Sequence, residues 1–213
     1  MLKPFNISVM ISGGGTTLKN LIDRYECGEL NAQITQVISN KPNAGGLQYA
    51  GDAGIECHVV DHRDYDSVEA FSKAIFDIVR LAGVDLVVMG GFLRRVTIPE
   101  DFVNRVINIH PSLIPAFCGK GNYGRRVHQA VVDYGCKVSG CTVHFVDDQY
   151  DHGPIIAQST VEVKADDSAE SLAARVFEAE CELYPQVINA FIAGKVRVLD
   201  LSLIHISEPT RPY

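Results

Sequence analysis

No stretch of this sequence approaches the ~20 consecutive apolar residues that a membrane-spanning helix needs. Residues 1–15 also lack the length and the cleavage pattern of a signal peptide. Basic residues are in deficit, since 19 Lys and Arg stand against 26 Asp and Glu and leave a net charge of −7. An acidic surface repels phosphates, so a general nucleic-acid binder is not expected. These absences predict a soluble, cytoplasmic protein whose partners are neither membranes nor nucleic acids.

The six cysteines are scattered along the chain rather than grouped. None forms a C-x-x-C pair or has a histidine at a zinc-ligand spacing, so we expect free thiols and no metal. The sequence also lacks a G-x-S-x-G elbow and an H-E-x-x-H motif. A covalent serine intermediate and a zinc hydrolase are therefore both disfavoured.

Apolar residues, in contrast, are sufficient for a core, because 46% of the 213 residues are hydrophobic. We predict one domain over residues 1–200, built from two closely packed halves at 1–100 and 101–200. Residues 201–213 read LSLIHISEPTRPY, which resembles the translation of a sequencing-library adaptor. We interpret them as a non-native tail, the alternative being a genuine polar tail, and exclude His205 as a site residue.

Apolar strand segments alternate with amphipathic helical segments along the chain. This alternation predicts an α/β fold with a doubly wound, mostly parallel sheet. An antiparallel strand pair is predicted in the C-terminal half. Parallel strands are predicted at 6–11, 33–39, 56–60, 85–89 and 105–109, and the antiparallel pair at 137–147 and 153–163. Helices are predicted after the first strand, at 43–53, from 66 or 67 to about 81, and at 125–133.

Two capping boxes predict further helices. Thr97-Ile98-Pro99-Glu100 predicts a short helix with its proline in the first turn. Asp167-Ser168-Ala169-Glu170 predicts a long helix, which Pro185 is expected to kink.

The first strand runs into a glycine-rich turn, Ser12-Gly13-Gly14-Gly15-Thr16-Thr17, and then into a helix. Backbone N–H groups at such a helix N-terminus stabilise an anion, and the two threonine hydroxyls add donors, which favours a phosphate site. The dinucleotide fingerprint is not matched, because Leu18 stands where its third glycine would fall and no acidic residue ends the second strand. A tight turn that binds nothing is an equally good interpretation.

Asn108 and His110 lie two residues apart at the end of a strand, so both side chains point to the same side. An amide donor beside an imidazole suits an oxyanion site for acyl transfer, and a protonated His110 can also deliver a proton to a leaving amine. A nearby carboxylate would favour the charged imidazole. The candidate carboxylates are Asp147, Asp148 and Asp151. The alternative is a strand-end histidine without chemistry.

Four segments together resemble the phosphoribosylglycinamide formyltransferase family of the formyltransferase superfamily. They are Ser12 to Leu18, Gly91 to Arg94, Asn108 to Pro115 and Val143 to Pro154, and the resemblance extends from Ile7 to about Val198. It implies a Rossmann-like fold, with a phosphate-binding half at 1–100 and a catalytic and folate-binding half at 101–200. It also implies transfer of the formyl group of 10-formyltetrahydrofolate, a co-substrate, to the amine of glycinamide ribonucleotide in de novo purine biosynthesis. It implies small-molecule partners, and the oligomeric state, monomer or homodimer, stays open.

The resemblance further implies the site residues. The catalytic residues are Asn108, His110 and Asp151, which selects Asp151 among the three carboxylates. Gly15, Thr16, Thr17, Arg105, His144 and Glu180 bind the ribonucleotide. Leu93, Arg94, Arg95, Val96, Asn108, Val146, Asp147, Asp148, Gln149 and Tyr150 bind folate. Thr17 departs from the asparagine common in the family. The glycine-rich loop 117–124 either closes on a phosphate or the folate glutamate tail or is an ordinary surface loop.

Three alternatives remain beside this function. The main one is a formyltetrahydrofolate hydrolase of the same superfamily, which usually carries an extra N-terminal domain that residues before the first strand leave no room for. A methionyl-tRNA formyltransferase would need a basic C-terminal RNA-binding domain, which this acidic chain is not expected to have. A nucleotide-binding protein without catalysis would not need Asn108, His110 and Asp151 together.

Overall fold

One mixed sheet carries most of the structure, a computed structural model that describes residues 4–199 and 203–206. Its strands are β1 (Phe5–Ile11), β2 (Ala32–Ser39), β3 (Glu56–Val59), β4 (Leu86–Met89), β5 (Val106–His110), β6 (Val138–Phe145) and β7 (Ile155–Glu162). They lie in the order β3-β2-β1-β4-β5-β6-β7. β1 to β5 are parallel, whereas β6 is antiparallel to both β5 and β7. The predicted sheet is thereby confirmed.

Helices cover both faces of this sheet. They are α1 (Thr16–Glu26), α2 (Gly46–Asp52), α3 (Val68–Leu81), α4 (Arg125–Tyr134) and α5 (Ala169–Ile192). α1, α2 and α5 pack on one face, where Leu18 and Leu172 belong to the same apolar core. α3 packs on the other face through Phe71 and Ile75. All four residues of β4 are buried, as expected of a strand covered on both sides.

Both capping-box predictions need correction. Thr97 to Glu100 does not start an α-helix, because Pro99 is itself the extended N-cap of a 3₁₀ turn, Glu100–Phe102, and makes no side-chain cap bond. The backbone of Pro99 is extended, with a ψ of 155°, so the turn begins only at Glu100. The second box is shifted by one residue, since Ser168 caps α5 and Ser171 completes the reciprocal bond. α5 then continues through Pro185 to Ile192.

A separate antiparallel pair joins β8 (Val196–Leu199) to β9 (Leu203–Ile206). β9 falls inside the segment interpreted as a non-native tail, and the rest of that segment lies outside the described residues. The interpretation of residues 201–213 as a non-native tail stays a prediction, as does the division of residues 1–200 into two halves. Within residues 4–199 and 203–206, no helix is both long enough and apolar enough to span a bilayer.

The strand order fixes the place of the site. The chain moves outward from β1 to β2 and β3, then returns to the other side of β1 as β4. A crevice opens at such a reversal, outside the carboxyl ends of the strands. The glycine turn after β1 and the residues after β4 and β5 therefore converge there.

Candidate active site

Two adjoining cavities occupy this crevice. The larger, of about 810 Å³, is lined by Thr16 and Thr17, by the end of β5, by residues 119–126 at the start of α4 and before it, and by one face of α5. The smaller, of about 50 Å³, is lined by Arg94 to Val96 and by Val146, Asp147, Gln149 and Tyr150. Asn108 and Asp151 line both cavities. The boundary between the two is therefore where groups held in one can meet groups held in the other.

His110 lies at the end of β5 with each ring nitrogen facing an oxygen atom. Its Nε2 is 3.0 Å from the carbonyl oxygen of Phe117, and its Nδ1 is 3.5 Å from Oδ2 of Asp151. The ring is almost entirely buried, with 4% of its surface exposed. An imidazole that carries two protons can donate to both oxygens at once, which suits a group that stabilises negative charge.

The structure brings only one of the three candidate carboxylates to His110. Asp151 has a positive φ of 51°, and its Oδ2 accepts a hydrogen bond of 2.8 Å from the backbone of Gly119. Asp147 instead contacts His152, with 2.6 Å between Oδ2 and Nδ1. Asp148 accepts from the backbone of Ile98 at 3.4 Å and lines neither cavity described above.

His144 lies directly behind Asn108 in the neighbouring strand β6. The two residues are paired across the β5–β6 ladder, and their Nδ2 and Nε2 atoms are 3.2 Å apart. Nδ1 of His144 is 2.8 Å from the carbonyl oxygen of Phe145. Burial lowers the pKa of His144, which favours a neutral ring. His144 thus supports Asn108 from the side of the smaller cavity, away from the ribonucleotide residues it was predicted to join.

The glycine turn is both a tight turn and an open helix end. Gly15 has a φ of 73°, and a Cβ atom there would overlap Cα of Gly46, so only glycine allows α2 to approach this closely. No side chain caps the N-terminus of α1. Its first residues, Thr16 and Thr17, face the larger cavity. Uncapped N–H groups at this position can bind an anion.

Glu180 closes the larger cavity from the side of α5. It is 9% exposed, and burial raises its pKa to about 7. A carboxyl of this kind is poised to accept hydrogen bonds from a ligand's hydroxyl groups.

Arg105 does not belong to this cluster, which corrects its predicted place in the ribonucleotide site. It precedes β5, at the opposite end of that strand from His110. Its guanidinium donates to the carbonyl oxygens of Val84, Asp85 and Asp101, at 2.6, 3.0 and 3.1 Å. It also lies over the ring of Phe102. These contacts direct its guanidinium donors to main-chain oxygens before β4 and β5.

A family model described as "Formyl transferase" matches residues 5–188 of this sequence. The chain belongs to the formyl transferase family. Among curated relatives, the phosphoribosylglycinamide formyltransferase of Haemophilus influenzae is 37% identical over 196 residues, covering 91% of this chain and 90% of the relative. The chloroplastic phosphoribosylglycinamide formyltransferase of Arabidopsis thaliana is 37% identical over 194 residues, or 90% of this chain. The chain spans 66% of that relative's length.

Solved structures give the same family. The crystal structure of glycinamide ribonucleotide transformylase 1 from Symbiobacterium toebii matches with a TM-score of 0.87 and 36% identity, covering 96% of this chain and 94% of that one. Phosphoribosylglycinamide formyltransferase from Brucella melitensis matches with a TM-score of 0.81 and 39% identity, covering 92% and 99% of the two chains. The mixed sheet described above is the formyl transferase fold.

Within this formyl transferase, several cavity residues were missed by sequence reasoning. Ala173 and Phe177 line the larger cavity together with Glu180. Their spacing at i, i+4 and i+7 places them on one helix face, so the period of α5 was the signal that could have found them. His128 of α4 also lines the cavity; burial lowers its pKa, and its Nδ1 has no hydrogen-bond partner among the described residues.

Residues 119–124 of the loop 117–124 line the larger cavity together with Arg125 and Arg126, the first two residues of α4. Arg125 forms an ion pair with Glu170. Arg126 lies over the ring of Tyr123, with its Cζ atom 5.3 Å from the ring centroid. Of the basic residues in this region, these two therefore contact the protein's own side chains. Within the described residues, no group of three or more His, Cys, Asp or Glu side chains is arranged to hold a metal ion.

Proposed function

We propose that this formyl transferase moves the formyl group of 10-formyltetrahydrofolate to the amine of glycinamide ribonucleotide. The observation that carries the proposal is the convergence of Asn108, His110 and Asp151 at the boundary between two cavities. A reaction between two bound molecules needs its polar groups at such a boundary, because the reacting atoms must meet there. The names of the relatives support the same pair of substrates.

The larger cavity suits a phosphorylated sugar. Its volume of about 810 Å³ lies within the usual range for small-molecule sites. The open N-terminus of α1, with Thr16 and Thr17, offers donors for the phosphate. Glu180, at another part of the wall, offers acceptors for sugar hydroxyls. The amine of the ribonucleotide then points toward Asn108 and His110.

The smaller cavity suits the flat ring of the folate, with one condition. Apolar residues such as Phe92, Val96 and Val146 line it beside Arg94 and Arg95, whereas Leu93 lines the larger cavity. Its volume of about 50 Å³ is well below the usual range for small-molecule sites. We therefore infer that the segment 146–151, of which all residues but Asp148 line this cavity, moves outward to admit the folate and then closes over it.

The chemistry follows from the positions of the polar groups. As the amine attacks the formyl carbon, negative charge develops on the formyl oxygen, and Asn108 and the protonated His110 donate to it. Asp151, facing Nδ1, stabilises the imidazolium. When the bond from carbon to folate N10 breaks, its electron pair stays on N10, which receives the proton that the amine has lost. His110 is the group placed to relay that proton.

A formyl-transfer assay tests the proposal, following tetrahydrofolate formation with and without glycinamide ribonucleotide. Product that requires the ribonucleotide supports transfer; equal product without it supports the hydrolase; no product in either case contradicts both. His110→Ala and Asp151→Asn should each lower turnover by roughly 10²–10⁴. His152→Ala, an exposed histidine next to Asp151, is the matched control and should keep near-normal turnover.

A further inference from the structure

The backbone of Phe117 constrains where His110 can carry its protons. Nε2 of His110 lies 3.0 Å from the Phe117 carbonyl oxygen. Both oxygens that face the ring accept hydrogen bonds, but the Phe117 oxygen is 3.0 Å from Nε2 whereas Oδ2 of Asp151 is 3.5 Å from Nδ1, so the single N–H of a neutral ring lies on Nε2. A neutral imidazole has one N–H, which leaves Nδ1 bare in that state. Nδ1 is therefore the nitrogen that gains and loses a proton.

We propose that Phe117 is a positioning residue whose main-chain carbonyl assigns the exchangeable proton of His110 to Nδ1, the nitrogen that faces Asp151. The effect on turnover rests on the proposed function. In the charged ring, Nδ1 gives its proton to folate N10, which keeps the electron pair of the broken carbon–nitrogen bond. Nδ1, now bare, takes the proton that the amine nitrogen loses on bonding to the formyl carbon. Nε2 keeps its own proton throughout.

The side chain of Phe117 holds this carbonyl in place. Phe117 has a φ of 52°, in the left-handed region that glycine adopts freely and other residues adopt at a cost. Its ring packs against the core and lies edge-on to Tyr134, with 6.0 Å between the ring centroids. Ser112 supports the same turn, donating to the carbonyl oxygen of Ala116 at 2.6 Å. Ring packing therefore compensates for the unfavourable backbone angle.

The same loop also holds the partner of His110. Two residues after Phe117, the backbone N–H of Gly119 donates to Oδ2 of Asp151 at 2.8 Å. The segment 117–119 thus fixes both ends of the His110–Asp151 contact with main-chain atoms. Side-chain identity along the loop matters for these bonds only insofar as it sets the backbone conformation.

Two substitutions separate the backbone effect from simple packing. Phe117→Ala and Phe117→Gly both remove the ring, but only alanine keeps the strain of a positive φ. We expect Phe117→Ala to lower kcat by roughly tenfold to a hundredfold, with KM for both substrates changed by less than about threefold. Phe117→Gly should retain several-fold more activity than Phe117→Ala. A glycine variant no better than the alanine variant overturns the positioning role, because the more flexible residue should be worse if only packing matters.

Asn104 provides a matched pair outside the site. It has a φ of 59° and precedes β5, at the opposite end of that strand from His110. Asn104→Gly should be more stable than Asn104→Ala, by the same backbone argument, with kcat unchanged in both. If kcat of the Asn104 variants changed together with their stability, the higher activity of Phe117→Gly would be explained by stability alone. That result would overturn the proposal.

The proton itself is observed by ¹⁵N NMR of histidine-labelled enzyme without substrates. The chain has seven histidines, and the spectrum of His110→Gln identifies the signals of His110 by their loss. At a pH where the ring is neutral, we expect a protonated Nε2 and a bare Nδ1 in the unaltered enzyme. A mixture of both tautomers is expected in Phe117→Ala. A neutral His110 protonated on Nδ1 in the unaltered enzyme overturns the proposal, and this result does not depend on which formyl acceptor the enzyme uses.

Discussion

The side-chain amide of Asn108 donates to Nε2 of His144 across 3.2 Å, and this bond determines how the amide faces the cavity. Nδ1 of His144 lies 2.8 Å from a carbonyl oxygen and must be its protonated nitrogen, so Nε2 can only accept. Asn108 therefore turns its NH₂ group toward His144. The second N–H of that group is then the one available to the formyl oxygen in the proposed reaction.

His144→Ala should lower kcat by roughly tenfold, because Asn108 loses the acceptor that orients it. If His144 acts through Asn108, adding His144→Ala to Asn108→Ala should lower kcat little further. The four enzymes form a double-mutant cycle, measured as kcat and KM for both substrates. Independent, additive losses would contradict the positioning of Asn108 by His144.

The end of β5 shows how much of the candidate site could be predicted from the sequence. Alternation along a strand placed Asn108 and His110 on one side, and the structure brings both to the crevice. Spacing alone could not choose among Asp147, Asp148 and Asp151, because the choice depends on the turn in which Asp151 takes a positive φ. The resemblance to the family made that choice. The same resemblance placed Arg105 in the ribonucleotide site, although the position of Arg105 at the start of β5 was visible in the sequence.

The sequence could not predict the contacts around His110, for a different reason. They come from the carbonyl of Phe117 and the N–H of Gly119, which are main-chain groups and so leave no signal in the residue type. Their direction depends on left-handed backbone at Phe117, which is not a residue type that favours it. The pairing of Asn108 with His144 likewise depends on the register between β5 and β6, which only the folded sheet reveals.

The buried carboxyl of Glu180 should make stability depend on pH. Burial raises its pKa from 4.5 to about 7, so between these values the folded protein holds a proton that the unfolded chain has lost. The free energy of unfolding should therefore fall as the pH rises from about 4.5 to about 7, by roughly 2–3 kcal/mol. Glu180→Gln removes this dependence. Urea unfolding at pH 5 and pH 8 should show the variant gaining stability relative to the unaltered protein at the higher pH.

Glu178→Gln is the control for this measurement, because Glu178 is an exposed residue on the same helix. Its stability difference from the unaltered protein should be the same at both pH values. An equal gain at pH 8 in both variants would trace the effect to the net charge of the helix and contradict the role of burial at Glu180.

Ser12 joins the end of β2 to the segment after β4 through one hydroxyl group. Its Oγ donates to Oδ1 of Asn40 at 2.5 Å and accepts from the backbone of Leu93 at 2.8 Å. Ser12→Ala leaves both groups without this partner, which should lower the free energy of unfolding by about 1–3 kcal/mol. KM for the folate should also rise, because Leu93 begins the segment proposed to hold it. Urea unfolding and initial-rate kinetics measure the two effects.

Ser139 is the matched control for Ser12. It is also buried, at 3% exposed, but its hydroxyl has no hydrogen-bond partner among the described residues. Ser139→Ala should therefore be neutral or slightly stabilising, since it removes a buried polar atom that gains nothing from burial. If both variants lost the same stability, the loss would come from the missing oxygen's volume and not from the bonds of Ser12.

Gly15 and Gly28 separate two reasons for needing glycine. Both have left-handed backbone, with φ values of 73° and 76°, but a Cβ at Gly28 meets nothing within 4 Å whereas one at Gly15 overlaps Gly46. Gly28→Ala should cost only the backbone strain, about 1–2 kcal/mol in urea unfolding. Gly15→Ala must also push α2 away from the turn, so it should cost more. Because that turn carries Thr16 and Thr17, KM for the ribonucleotide should rise in Gly15→Ala and stay unchanged in Gly28→Ala. Equal costs with unchanged KM would mean that the close approach of α2 has no part in shaping the phosphate end of the cavity.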